Sequence, residues 1–232
     1  MDSDGGDADI AAVARLFGDD TRAAFCIVLL DGRFWTAGEL ARGAEVAAST
    51  ASEHLAQLVA GGVLEVVSQG RHRYFRLASP EIAAALEALA VVSPAARVRT
   101  LRQDVASRAL RNGRTCYDHL AGRLGVALTD ALIGAGVITA DFRPGDFAVL
   151  APLGIVLPLN GARPIVRPCV DWTQRRYHAA GVLPAELTQR LLELGWLSRT
   201  ERHRAVRLTE TGQQGISDLL HISIFAIRGS AS

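Results

Sequence analysis

The chain has 232 residues, of which 49% are hydrophobic and 21% charged, enough to bury one core or two small ones. A formal net charge of +1 excludes a polycation, and every basic residue other than histidine is an arginine, a side chain suited to phosphate and carboxylate contacts. Three cysteines, Cys26, Cys116 and Cys169, are too few for a disulfide framework and are expected as thiols.

The first stretch, "MDSDGGDAD", is acidic and glycine-rich and lacks the basic-then-apolar order of a signal peptide, so residues 1–8 are expected to form a disordered tail. "DIAAVARLF" predicts a short amphipathic helix. "DDTRAAFCIVLL" predicts a second, with Asp19 or Asp20 as N-cap. "TAGELARGA" predicts a third, capped by Thr36. "ASTASEHLAQL" predicts a fourth, stopped at Gly61 and Gly62. "VLEVVSQGRHRYFRL" has two β-rich runs around a polar centre and reads as a hairpin. Pro80 then opens the helix "PEIAAALEALAVV". Four helices, a hairpin and a helix make a winged helix-turn-helix over residues 9–93.

Residues 94–113 are expected as an arginine-rich connecting helix. Arginines 97, 99, 102, 108 and 111, followed by Arg114, stand against one acid, Asp104. They form either a solvated face or a second phosphate-contacting surface. Residues 114–232 carry a faint internal repeat over 114–160 and 167–228: "RTCYD" matches "RPCVD", and "GVI" at 136 matches "GWL" at 195. Leu58, Leu132 and Leu191 each sit four residues before the glycine of "GVL", "GVI" and "GWL", which predicts a recurring helix–glycine–strand corner. The expected fold is mainly α with small β-hairpin wings. It joins an N-terminal winged helix-turn-helix to a C-terminal half of two degraded winged-helix-like repeats. The apolar run "FAVLAPLGIVLPL" falls short of the ~20 residues a membrane-spanning helix takes and is broken by prolines. A cytoplasmic, nucleoid-associated protein with no membrane partner is expected.

The fourth helix carries the first functional signal. Ala51, Leu55, Leu58 and Val59 share one face, while Thr50, Glu53, His54 and Gln57 fall on the opposite one. Ser49 or Thr50 is expected to cap its start, with Thr50 and Glu53 as a capping box. Flanked by small residues, such a helix fits a major groove about 12 Å wide, where Ser, Thr and Gln read base edges and Glu53 could accept from a cytosine amine. The hairpin tip carries Arg71, His72 and Arg73, placed to touch phosphate.

"GDDTRAAFCIVLL", "TAGELA", "STASEHLAQLVAGGVL" and "GRHRYFRL" together resemble the ArsR/SmtB family of bacterial winged-helix repressors, over roughly residues 9–92. The resemblance implies a homodimer built by the first and last helices of the domain. It also implies a palindromic operator and derepression by an inducer. By position it places Ser49, Thr50, Ser52, Glu53, His54 and Gln57 on the recognition helix and Arg71, His72 and Arg73 on the wing, with Thr36 as a further DNA-side candidate.

The chain departs from the family where metal ligands are looked for. The helix that carries a Cys-x-Cys pair in metalloid sensors is "ELARGA" here, without a thiol. The last helix, which carries Asp/His pairs in zinc sensors, has only two glutamates and no histidine. Cys26, inside "AAFCIVLL", reads as a buried small hydrophobe. Sensing therefore moves to the extra half. There "RTCYDH" is expected to put Cys116 and His119 on one helix face, and "RPCVDWTQRRYH" to start a helix at Cys169 that carries Trp172, Arg175, Arg176 and His178. If the two copies meet, Cys116, His119, Cys169 and His178 would form a set suited to zinc or another thiophilic ion. Three other readings stand beside this one. The cysteines are core residues; or they form a redox switch, given thiol pKa values lowered by arginines; or Arg175 or Arg176 holds a small organic inducer against Trp172.

The resulting expectation is a DNA-binding transcriptional regulator, a ligand-responsive repressor with its effector, metal or organic, sensed by the C-terminal half. A constitutive architectural or protein-interaction module is the alternative. An enzyme using Cys116 with His119 as base finds no oxyanion-hole motif, phosphate loop or carboxylate pair to support it.

Overall fold

The computed structural model describes residues 7–94, 100–157, 163–200 and 204–221, with the side chains of residues 101 and 102 left aside. Most of the expected acidic tail, Arg97 and Arg99 of the arginine run, residues 158 and 159 of the apolar run, and the last residues of the second repeat lie outside these. The chain forms two units, Met1–Ile82 and Ala83–Ser232.

The first unit begins with α1 (Ile10–Phe17), where the Asp9 side chain accepts from the Ala12 N–H, and α2 (Asp20–Leu29). Of the two aspartates the sequence left open, Asp19 is the N-cap, its carboxylate accepting from the Arg22 N–H at 2.9 Å. The two-residue strand β1 (Trp35–Thr36) leads into α3 (Ala37–Gly43), whose start is a complete capping box of Thr36 and Glu39. α4 (Ala48–Ala60) follows, then β2 (Leu64–Gln69) and β3 (His72–Leu77). The strands pair from Leu64–Leu77 to Gln69–His72, closed by Gly70, at φ 58°, and Arg71. β1 adds a third strand on the far side of β3. Two residues are too short to show alternation, so this strand had no signature in the sequence.

The expected cap of α4 by Ser49 or Thr50 does not form. The helix begins earlier, after Ala47, which has no side-chain acceptor, and Thr50 lies within its first turn. Ala51, Leu55 and Leu58 are its buried face, packed in a core that includes Phe25, Cys26, Leu29, Leu40, Phe75 and Leu77. Cys26 is fully buried, and burial pushes its thiol up to about 12.

α5 (Pro80–Val92) carries the chain from the first unit into the second. Then come α6 (Leu101–Asn112), β4 (Arg114–Cys116), β5 (His119–Ala121) and α7 (Gly122–Gly134), followed by a 3-10 helix at Ala148–Leu153. β6 (Arg167–Asp171), β7 (Arg176–Ala180), α8 (Val182–Glu193), β8 (Leu197–Arg199), β9 (Val206–Leu208) and α9 (Glu210–Leu220) complete it. Its main core gathers Leu124, Leu128 and Leu132 of α7 with Leu183, Leu187 and Leu191 of α8, Leu197, Val206 and Ile216.

Both helices expected around the C-terminal cysteines are antiparallel hairpins instead. Cys116 and His119 face each other across a two-residue turn, where Tyr117 takes φ 62°. Cys169 and His178 pair across the longer hairpin of β6 and β7. There the Asp171 carboxylate accepts from the Thr173 and Gln174 N–H groups and Arg175 sits at φ 53°. An aspartate that binds the backbone two and three residues ahead favours a turn over a continuing helix, and a spacing of three residues fits either structure.

The three glycine corners are present: Gly62, Gly136 and Gly195 take φ 70°, 71° and 68°, and the carbonyls of Leu58 and Leu132 accept from Val63 and Val137. Each leucine is buried at the helix end. The two C-terminal segments also share an order: hairpin, positive-φ glycine, helix, glycine corner. The matched glycines are Gly122 and Gly181, in "HLAG" and "HAAG".

Candidate nucleic-acid interface and a buried cysteine–histidine cluster

On α4 the polar residues divide into two groups. Ser49, Ser52 and Glu53 are exposed, and the Ser52 hydroxyl donates back to the Ala48 carbonyl at 2.9 Å. Thr50 is half-buried. His54 and Gln57 lie toward α2. The Arg22 guanidinium donates to Gln57 Oε1 at 2.7 Å and sits 3.3 Å from His54 Nδ1, which is 3.5 Å from Asp19 Oδ1. Arg22 also donates to the carbonyls of Leu16 and Arg15, so one side chain ties α1, α2 and α4 together. Gln57 stays exposed, but its amide oxygen is engaged. Thr36 spends its hydroxyl on the capping box with Glu39. Arg71, His72 and Arg73 are all exposed on the wing; Arg71 Nε reaches the His72 ring and Arg73 lies over Phe75. No described helix is long and apolar enough to cross a membrane.

In the second unit the two hairpins bring Cys116, His119, Cys169 and His178 together. One ligand atom of each lies within 4.8 Å of all the others, and all four residues are buried. The sulfurs are 3.9 Å apart and the two Nε2 atoms 3.1 Å apart, with the imidazoles stacked. Carboxylates stand behind the rings: Asp118 Oδ1 is 3.2 Å from His119 Nδ1, and Asp171 Oδ2 is 3.7 Å from His178 Nδ1.

Electrostatics separates the two thiols. The hydrogen bond between them favours charge on Cys169, which His119 and His178 reinforce against burial, so Cys169 is held well below the usual thiol range. The same bond, with burial and Glu87, pushes Cys116 up. Burial works against a charged His119, but Asp118 and Cys169 outweigh it and raise the ring. The lowering on Cys169 thus comes from its partner thiol and the histidines, not from arginines.

Behind the cluster runs a buried ionic chain that sequence reasoning missed. Arg114 is fully buried, 3.1 Å from Asp171 and 3.5 Å from Glu87, with its guanidinium over the Trp172 ring. Arg204 donates to the other Glu87 oxygen. Asp171 also accepts from the Gly122 N–H at 2.6 Å. Burial opposes its charge, yet Arg114, the Thr173 hydroxyl and the backbone donors bring it down to about 2. Arg114 is therefore unavailable to phosphate, whereas Arg108 and Arg111 are exposed, the former paired with Asp104 one turn away. One signal could have revealed this chain: Glu87 is an acid set in the middle of α5 amid alanines and leucines.

The residues expected to hold an organic ligand have the following partners. Trp172 is half-buried against Arg114, Arg176 forms a two-toothed pair with Asp130, and Arg175 is an exposed turn residue.

Residues 17–67, which include α2, α3 and α4, match the family model described as a helix-turn-helix domain. Over 223 residues, 93% of this chain and 99% of the relative, the sequence is 36% identical to the uncharacterized HTH-type transcriptional regulator YdfF of Bacillus subtilis strain 168. The chain belongs to the HTH-type transcriptional regulators. Its winged helix is of the ArsR/SmtB type, its length exceeds that of the typical ArsR protein, and it is a regulator rather than an enzyme. Among solved structures, the cadmium metal-sensor CMTR of Mycobacterium tuberculosis is 31% identical, covering 39% of this chain and 94% of that one, with a TM-score of 0.33. A homodimeric winged helix-turn-helix fragment of Mb0332 from Mycobacterium bovis is 24% identical, covering 38% of this regulator and 87% of the fragment, with a TM-score of 0.34.

Proposed function

We propose that this regulator is a ligand-responsive repressor that binds a palindromic operator as a homodimer in the cytoplasm, on the nucleoid, and senses its effector through the C-terminal unit. The observation that carries the reading is the first unit's exposed polar face. α4 offers Ser49, Ser52 and Glu53 outward, its first turn has no side-chain cap, and the wing tip carries Arg71, His72 and Arg73. Free N–H groups at the start of a helix suit a phosphate, and short hydroxyls above a slim backbone suit base edges. His54 and Gln57 act here by holding α4 against α2, with the exposed amide of Gln57 next in line for a base.

Dimerisation is supported by unpaired apolar surface. α1 buries none of its residues within the chain, and Ile10 is 76% exposed; at the end of α5, Val92 is 79% exposed. Apolar side chains repeated along one helix and left in water mark a protein interface, here with a second copy. The test combines sedimentation with binding to DNA upstream of the regulator's own gene. Wild type is expected as a dimer that prefers this DNA to random sequence. Ile10→Glu and Val92→Glu should produce monomer and weaken operator binding. Equal affinity for operator and random DNA would overturn the repressor reading in favour of an architectural one.

A further inference from the structure

We infer that the C-terminal unit is built around a tetrahedral site for Zn²⁺ or a similar thiophilic divalent cation, with Cys116, His119, Cys169 and His178 as its four ligands.

Distances come first. Ligands about 2.3 Å (sulfur) and about 2.0 Å (nitrogen) from a tetrahedral zinc stand about 3.8 Å apart for two sulfurs and about 3.3 Å for two nitrogens. The sulfurs here are 3.9 Å apart and the nitrogens 3.1 Å. A disulfide would need about 2 Å between the sulfurs. Each hairpin supplies one cysteine and one histidine directly across from each other, so backbone pairing sets the spacing before any ion arrives.

Proton placement on the imidazoles points the same way. In a neutral histidine pair linked Nε2 to Nε2, one ring must donate, which leaves its Nδ1 bare. Both Nδ1 atoms face carboxylates, Asp118 and Asp171, and a bare nitrogen there meets like charge. With a cation between them, both rings keep the proton on Nδ1, toward the carboxylates, and turn the Nε2 lone pair inward. This is the carboxylate–histidine–metal arrangement, and its outer members are themselves anchored: Arg163 grips Asp118 with two nitrogens, and Arg114 and the Gly122 N–H hold Asp171. His178 Nδ1 is buried without a hydrogen-bond partner, and the Asp171 carboxylate faces it at 3.7 Å.

Charge closes the argument. Two thiolates and a divalent cation sum to zero, which suits four buried residues. Binding takes both sulfurs as thiolates and releases their protons to solvent. Four protein ligands leave no open position, so the site is structural or sensory rather than catalytic. The regulatory consequence rests on the proposed function. Asp171, which backs His178, is ion-paired with Arg114, and Arg114 reaches Glu87 on α5, the helix by which the chain passes from the DNA-binding unit to this one. A cation that fixes His178 and Asp171 thereby bears on α5.

The experiment uses the full-length reduced chain. Co²⁺ titration should give one equivalent per chain, with a thiolate-to-cobalt charge-transfer band and the intense visible bands of a tetrahedral ion, both erased by Zn²⁺. Cys116→Ser and Cys169→Ser should each lose or shift the charge-transfer band. Because a changed buried cysteine can unfold the unit, Asp118→Asn provides a second variant that keeps all four ligands. It should weaken Zn²⁺ about 10–100-fold while keeping its circular dichroism and the tetrahedral spectrum. Folded, reduced wild type without a thiolate–cobalt band, or with a Cys116–Cys169 disulfide after anaerobic isolation, overturns the site. Operator affinity is then compared for zinc-loaded and chelator-treated protein, with a change of about 5–150-fold expected. Equal affinities with the cobalt spectrum intact would overturn the sensory role and leave a structural metal. Absence of operator binding in both forms would overturn the proposed function and leave the metal site standing.

Discussion

Glu87 shows how much a single residue decides here. It sits in an alanine- and leucine-rich helix, 2% exposed, between the guanidinium groups of Arg204 and Arg114. Removing one partner of such a set strands the others in a medium that cannot solvate them, so Glu87→Ala should destabilise the chain by about 3–5 kcal/mol in denaturant unfolding. Burial raises its carboxyl and the two arginines more than compensate, leaving it below its ordinary value of 4.5. A group lowered by folding contributes fully above its unfolded pKa and loses that contribution as pH falls through the folded one. Wild type should therefore lose stability in acid below about pH 4.5, and Glu87→Gln should flatten that limb of the stability–pH curve. An unchanged curve would mean the carboxylate is not the titrating group.

Among elements, α4 and the wing divide the work of reading and holding. Glu53 is exposed and free to meet a base, whereas Gln57 accepts from Arg22. Glu53→Ala should change preference at one operator position by about 1–3 kcal/mol, read by binding to a set of single-base operator variants. Gln57→Ala should instead lower affinity for all of them together, because Arg22 loses an anchor between α1, α2 and α4. If Gln57→Ala relaxed one position and Glu53→Ala none, α4 would lie in the groove on its other edge. Periodicity gave the helix and its buried face correctly. It could not show that half of the polar face was already bonded, since Arg22 lies some thirty residues away.

For the whole molecule, the net charge of +1 means that DNA affinity cannot come from a global field. It must come from local cations, and the wing tip concentrates them. Arg71→Ala and Arg73→Ala should each weaken operator and random DNA alike and flatten the plot of log affinity against log salt by about 1. A salt slope that stayed at its wild-type value would remove the wing from the phosphate contacts and turn attention to the exposed arginines of α6. The second unit was less legible. Its cysteines were recognisable as a pair from "RTCYD" and "RPCVD", but their spacing suggested helices where hairpins form.

What the sequence determined by itself were the features set within a few residues: the helices of the winged unit, the cap at Thr36, the wing with its basic tip, and the three glycine corners. Each follows from local backbone preference and apolar period. Tertiary structure alone decided that two hairpins 53 residues apart would place Cys116 against Cys169 and His119 against His178, and that Arg114 would be buried with Asp171 and Glu87 rather than solvated. Those arrangements arise from long-range packing and from the cost of leaving a buried charge or imidazole without a partner, neither of which any short window of residues contains.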